Sequence, residues 1–445
     1  MCSASIASSA FAWIYPEHRD IALLAAGTLD PERTAVFSRL WQDARFSNEQ
    51  RLCEEAADAD QSVTPACIDW AALSAIAGDH ACSSREMLET VTGSTWILAV
   101  ADVAAQLKLD LEKIPVVVSV QQIELTSDLV ADAQRRFASQ ANRAARVNAL
   151  RTADTRLQRA DVEYATRAGA NNAHFLLARE RTDQTGGEYA VATLETGSEL
   201  NAIGIYSWYH LSALQKASRL ANEQLTNGQR RELARSLLFD EAFALHFLED
   251  VFASGHVAGT WGDASQRKGT HDFYNQNGLE TFTWNSRGTS IVLMGDAHMR
   301  PVDAETAAQA VQKSLRQVLD ATSGRSEDPL PYRSAAPQKP DAFDVCKNST
   351  IPERDKGLRA EGAYETALSE TLSPTPVPAL GQGLGSMPRF RSELGPFVGL
   401  AGGIDGRGIN GGFDSSQSND SGLVAGLELA IRAGLGLEGA LGESS

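Results

Sequence analysis

Within Ala244-Leu-His246-Phe-Leu-Glu-Asp250-Val-Phe-Ala-Ser-Gly-His256 an imidazole and a carboxylate stand four residues apart. On a helix such residues project from one side, so His246 and Asp250 can share a metal ion through the nitrogen and oxygen donors that zinc accepts. His256 follows Ser254-Gly255, where the helix is predicted to end, and that break lets its imidazole turn back toward the same point. His271 comes fifteen residues later, in Gly-Thr-His271-Asp-Phe-Tyr-Asn275. His246 alone would read as a core histidine and Asp250 alone as a solvated helix residue. Four ligand-type side chains within 26 residues, in a chain of 445 with eight histidines, instead point to a metal site.

Elements must bring these side chains together. From Arg19 to about Thr322 the sequence has helical periodicity and few prolines. Ile21, Leu24, Ala25 and Leu29 are placed on one face of a first helix that ends before Pro31. Further helices are predicted over 70–78, 84–107, 129–179, 206–222, 229–252 and 303–319, with a short strand over 290–294. Between 323 and 388 the composition shifts to Pro, Ser, Glu and Lys, which reads as a linker. Over 389–445 the chain is Gly-rich, and the alternation from Leu423 to Glu438 predicts a strand paired in a hairpin with the segment around Phe397-Val398-Gly399-Leu400. Such a strand is either the start of an outer-membrane barrel or part of a soluble appendage.

The net charge of −17 argues against a duplex nucleic-acid partner, and no stripe of Lys and Arg offsets it. A cluster of metal ions can still reverse the field inside one cleft. No Gly-rich phosphate loop stands at a strand-to-helix junction and no Gly-x-Ser-x-Gly elbow occurs, which sets aside nucleotide-dependent and serine-hydrolase classes. Ala10-Phe11-Ala12 has the small-x-small form of a signal-peptidase site, so residues 1–12 read as the remnant of a signal peptide and the protein as secreted, periplasmic or bound to an outer membrane. Of the five cysteines, Cys53, Cys67, Cys82 and Cys346 would then remain, an even number that suits export and allows three pairings, with free buried thiols as the other reading.

The pattern His-x-x-x-Asp-x-x-x-x-x-His with a further His resembles the superfamily of bacterial zinc-dependent phospholipases C and single-strand-specific zinc nucleases. That resemblance implies an all-α catalytic domain, here 13–322. It also implies a mature chain opening on Trp, whose amine and carbonyl bind zinc, with a His close behind. Trp13-Ile-Tyr-Pro-Glu-His18 matches the nuclease branch in its spacing. Asp79 in Ala75-Ile-Ala-Gly-Asp79 and His174 in Asn172-Ala-His174-Phe175 are similar to two further ligands, with Asp69 and His80 competing for the role of Asp79. Residues 91–164 read as an insertion between them. Two departures mark a divergent branch. Asn275 stands where the family has a carboxylate, leaving Asp272 or Glu280 as substitutes, and Ala253-Ser254 replaces the usual Gln-Pro.

By analogy, His246, Asp79 and His174 hold one zinc, and Trp13 and His18 a second, with Asp250 bridging. His256, His271 and the amide of Asn275 hold a third. The implied chemistry is phosphodiester hydrolysis in which a metal-activated hydroxide attacks phosphorus, with Asp79 orienting or deprotonating the water. A phospholipid substrate is favoured by the acidic charge and the C-terminal strands, a single-strand nuclease or nucleotidase by the Trp-to-His spacing. Asn275 keeps open a non-catalytic surface protein that uses zinc for stability. His210, among aromatics, reads as packing. Asp296 and His298 read either as a second polar site or as a turn after a strand.

Overall fold

A computed structural model of the chain describes residues 13–57, 66–114, 129–169, 171–258, 271, 274–275, 278–286, 290–325, 343–353, 363–378, 388–402 and 421–435. The described part is mostly helical, as the sequence predicts. Among these residues no helix is long and apolar enough to cross a membrane.

The centre is a helical hairpin. Helix α9 (Ala202–Asn222) and helix α10 (Asn227–Asp250) are joined by four residues, a connection short enough to force antiparallel neighbours. Thr226 caps α10, accepting from Gln229 N while the Gln229 side chain answers to Thr226 N. This reciprocal cap satisfies two of the donors a helix start leaves open. From Leu237 to Asp250 every residue of α10 is buried, the pattern of a helix surrounded on all sides. Around it pack α2 (Pro31–Arg45), α3 (Trp70–Ile76), α4 (Ser84–Gly93) and α12 (Pro301–Thr322). Phe239, Phe243 and Phe247 are fully buried there. Burying each such ring stabilises the fold by about 1.5–3 kcal/mol.

Helix α1 (Tyr15–Gly27) lies against α3 and α12. Its buried stripe is His18, Ile21, Ala22, Ala25 and Ala26, whereas Leu24, placed by periodicity on the core face, is exposed. The stripe is rotated because the helix must carry His18 inward, and Leu24 falls on the flank.

The predicted helix over 84–107 is two helices, α4 and α5 (Trp96–Glu112), broken at Ser94-Thr95. The predicted helix over 129–179 is three pieces: α6 (Leu129–Ala160), α7 (Tyr164–Gly169) and a 3-10 turn (Asn171–His174). Helix α6 packs on α5. Two short helices, α8 (Gly186–Thr193) and α11 (Ser254–Ala258), and an antiparallel pair, β1 (Leu279–Phe282) with β2 (Ser290–Leu293), complete the body.

Part of the stretch that composition marks as linker is folded. Cys346 is disulfide-bonded to Cys82, and Cys53 to Cys67. Phe343, Val345 and Ile351 are buried, Gly197 N donates to Ile351 O, and Trp284 N to Thr375 O. Helix α13 (Ala363–Leu372) buries Leu368 and Leu372 and packs on α8 and α12. Proline-rich composition disfavours helix but does not prevent a segment from docking where the body offers backbone partners and a cysteine. At the C-terminus β3 (Pro388–Gly402) pairs antiparallel with β4 (Ser421–Leu435), setting Phe397 opposite Gly426. The proposed signal peptide lies outside the described residues.

Candidate metal centre

The end of α10 sets the geometry. His246 and Asp250, one turn apart and fully buried, bring His246 Nε2 to 3.3 Å from Asp250 Oδ2. Three other segments converge on the same carboxylate. His18 on α1 places Nε2 3.3 Å from Asp250 Oδ1, His174 on the 3-10 turn places Nδ1 2.5 Å from Oδ2, and His256 on α11 places Nδ1 3.8 Å from Oδ1. His174 Nδ1 is also 3.1 Å from His246 Nε2. His271 Nε2 lies 3.2 Å from His256 Nε2 and 3.0 Å from Asp296 Oδ2.

Among the described residues three groups at the end of α10 could therefore hold metal ions, each with its ligand atoms within 4.8 Å of one another: His18, His246 and Asp250; Asp79, His174 and His246, which shares His246 with the first; and His256, His271 and Asp296. A fourth group, Cys82, Asp344 and Cys346, meets the same distance test. Its two sulfurs are joined to each other, which leaves no thiolate to ligate.

The acceptors behind the rings fix which nitrogen faces the centre. His246 Nδ1 donates to Ser74 O at 2.8 Å, His18 Nδ1 to Glu249 Oε2 at 2.6 Å and His256 Nδ1 to Asp250 O at 3.0 Å. With Nδ1 carrying the proton, Nε2 of each ring presents a lone pair, the arrangement outer-shell partners impose on metal-ligating histidines.

Two observations test whether a cation fits. His18 Nε2 and Asp250 Oδ1 are buried and make no hydrogen bond although 3.3 Å apart, and a native fold rarely leaves such atoms without a partner. Donors at zinc–ligand distances around a tetrahedral ion lie about 3.3–3.4 Å from one another; five of the separations found are 3.0–3.3 Å, while His174 Nδ1 is closer to Asp250 at 2.5 Å and His256 Nδ1 farther from it at 3.8 Å. The residues fit a cluster of divalent cations.

Electrostatics agree with that fit. Burial pushes His18 down to about 4, helped by His246, and His174 down to about 3, helped by His271. Burial likewise holds His246 and His256 well below the ordinary imidazole range. These rings are neutral at pH 7, the form that ligates. Burial raises Asp250 to about 7 against the lowering contact of His18, and raises Asp79 well above the carboxylate range, with Asp250 adding to it. Carboxylates packed together away from water resist ionisation until a cation joins them.

Asp79 rather than its competitors joins the cluster. Asp69 caps α3 through Ala72 N and pairs with Arg19 at 2.7 Å. His80 pairs with Asp161 at 3.0 Å and stacks on Tyr164. Gly78 makes the placement possible: its φ is +70°, and a Cβ there would meet His246 Nε2 at 2.5 Å and His174 Cε1 at 2.8 Å. Trp13 is fully buried beside the centre, its indole donating to Glu249 O at 2.8 Å.

Glu280 is exposed on β1, because the strand's alternation turns Leu279 inward instead, and Asp272 lies outside the described residues. The carboxylate beside His271 is Asp296, on the turn after β2. Glu17 braces this turn by accepting from Ala297 N at 2.9 Å and Met299 N at 3.1 Å. Nothing in the spacing from His271 to Asp296 marks that partnership, since the intervening β hairpin sets it. His210 is buried in a network with Glu241, Ser314 and Gln317 away from the cluster, which agrees with packing. No protein-family model, curated protein or solved structure matches this chain.

Proposed function

We propose that the chain is a zinc-dependent phosphoric ester hydrolase of the phospholipase C type. One observation carries the reading: imidazoles and carboxylates from seven segments of the chain meet in three buried ligand groups, two of which share His246. His246, Asp79 and His174 would hold one ion, His18 and Asp250 with Trp13 a second, and His256 and His271 a third. When bound, clustered zinc ions acidify water and stabilise negative charge on phosphoryl oxygens.

The chain's own residues do the rest. Glu249, Ser74 O and the Asp250 carbonyl hold the imidazoles of His18, His246 and His256 in one tautomer and orientation. Asp79, buried at 8% exposure, keeps slightly more contact with solvent than Asp296 at 7% or Asp250 at 0%. It is the residue assigned to orient the attacking water and take its proton. The acidic surface, with a net charge of −17, disfavours polyanions and favours a lipid ester. The spacing from Trp13 to His18 favours a second reading, a single-strand nuclease of the same superfamily.

The test is to prepare the chain processed at Trp13, count zinc, and compare phosphocholine esters with single-stranded DNA, using His246→Ala as control. Turnover of the phosphocholine ester that His246→Ala abolishes supports the first reading, and turnover of DNA alone transfers the assignment to the second. If neither substrate is cleaved above the His246→Ala background, the enzymatic reading is wrong.

A further inference from the structure

The third ligand group lacks the carboxylate expected four residues after His271, where Asn275 stands. An amide could supply its oxygen to a metal, yet both ends of this one are engaged. Asn275 Oδ1 accepts from Gly255 N at 2.7 Å, and Asn275 Nδ2 donates to Asp296 Oδ2. Flipping the amide would set its NH2 against the Gly255 N–H and its oxygen against a carboxylate, so the two neighbours fix the orientation. The end of Asn275 that faces His271, 3.0 Å from Nε2, is therefore the nitrogen, which donates and does not ligate.

Asp296 Oδ2 stands the same 3.0 Å from His271 Nε2. It arrives from another part of the chain, beyond the β1–β2 pair. Backbone ties hold the three segments together: Gly295 N donates to Asn275 O at 3.3 Å and Ser254 N to Met294 O at 3.2 Å. Gly295 and Gly255 both press on Asn275 so closely that a Cβ at either would collide with its Oδ1. Two glycines thus allow the 254–256 and 294–296 segments to meet His271 and Asn275 at one point.

We propose that the third metal's carboxylate ligand is Asp296, and that Asn275 is a positioning residue that orients Asp296 without touching the ion. The carboxylate comes from the turn after β2 rather than from the position four residues after His271, and the amide at that position holds it in place. This inference rests on the reading of the cluster as a metal centre.

The exchange is testable because Asp and Asn have the same shape and the two side chains face each other. In the double variant Asn275→Asp/Asp296→Asn the hydrogen bond runs in reverse. The new carboxylate then occupies an atom position already 3.0 Å from His271 Nε2, with net charge unchanged. Bound metal is counted by mass spectrometry after equilibration with zinc. The cobalt-substituted protein is followed by its visible absorption, and folding is checked by circular dichroism.

Asp296→Asn is expected to hold one ion fewer than the parent, and Asn275→Ala to keep the full count with affinity lowered about 10–100-fold, as outer-shell losses do. The double variant is expected to recover the ion that Asp296→Asn loses. Full metal content in Asp296→Asn together with loss of an ion in Asn275→Ala would overturn the assignment. So would a folded double variant that stays one ion short. A parent protein that binds no zinc or cobalt at all would instead defeat the metal-centre reading itself, and His246→Ala, which removes a ligand of the other groups, keeps the two failures apart.

Discussion

Gly78→Ala is the sharpest single perturbation of the centre. Gly78 has φ +70°, a conformation that costs an L residue roughly 1–2 kcal/mol. The added Cβ would stand 2.5 Å from His246 Nε2, where ordinary contact begins at 3.4 Å. Either the ring or the backbone must therefore move by about 0.9 Å, and overpacking of this kind costs about 1–3 kcal/mol. The two costs together give a loss of about 2–5 kcal/mol in the metal-free protein. Metal binding suffers separately, because ligand distances tolerate only about 0.2 Å and both His246 and His174 are displaced. Urea unfolding in the presence of a chelator measures the first effect, and competition with a chromophoric chelator measures the second. Gly27→Ala is the control, since nothing lies within 4 Å of a Cβ there, and it is expected to change stability by less than about 0.5 kcal/mol. If Gly78→Ala lowers stability by less than about 1 kcal/mol and binds zinc as the parent does, the packing of Asp79, His174 and His246 described above is wrong.

Two further outcomes follow from the same geometry. Asp250, raised to about 7 by burial, is protonated at pH 6 in the metal-free protein, while His18 and His174, at about 4 and about 3, are already neutral. Zinc binding at pH 6 should therefore expel carboxyl protons, at least about one from Asp250, and affinity should rise as pH climbs through about 7. Because its folded value is raised, Asp250 in the metal-free protein favours folding most below the ordinary carboxylate range, and that contribution is lost as pH rises through about 7. Calorimetry in buffers of different ionisation heat reads the proton count, and no proton release at pH 6 would contradict it. For the disulfides, Cys82–Cys346 spans 264 residues and Cys53–Cys67 spans 14, which by chain entropy are worth about 5.6 and about 3 kcal/mol. Replacing the long-range pair by serines should cost more and expose residues 343–353 to protease, whereas equal costs and unchanged digestion would contradict the docking of that segment.

The local periodicities were legible in the sequence because they arise from neighbours along the chain. Four-residue spacing put His246 and Asp250 on one side of α10, and strict alternation marked the C-terminal strands; the break expected at Ser254-Gly255 comes earlier, because α10 ends at Asp250 and Ser254 opens α11, which carries His256. The family resemblance, rather than local spacing, supplied His18, Asp79 and His174 as ligand candidates, and nothing local decided between Asp79 and its neighbours Asp69 and His80. Long-range pairing decided that: Asp69 went to Arg19 and His80 to Asp161, leaving Asp79 beside His246.

The same holds for features that composition hid. Residues 343–353 and 363–378 read as linker because Pro and Ser disfavour regular structure, but a disulfide and backbone hydrogen bonds to distant loops hold them on the body. Leu24 lost its core position because α1 rotates to bury His18. Asp296 is the clearest case. Its approach to His271 depends on the turn after β2 and on glycines 255 and 295 allowing distant parts of the chain to touch. The sequence by itself determined which residues were chemically able to bind a metal. Only the tertiary structure decided which of them meet, because a ligand shell is closed by contacts between segments whose separation along the chain carries no period.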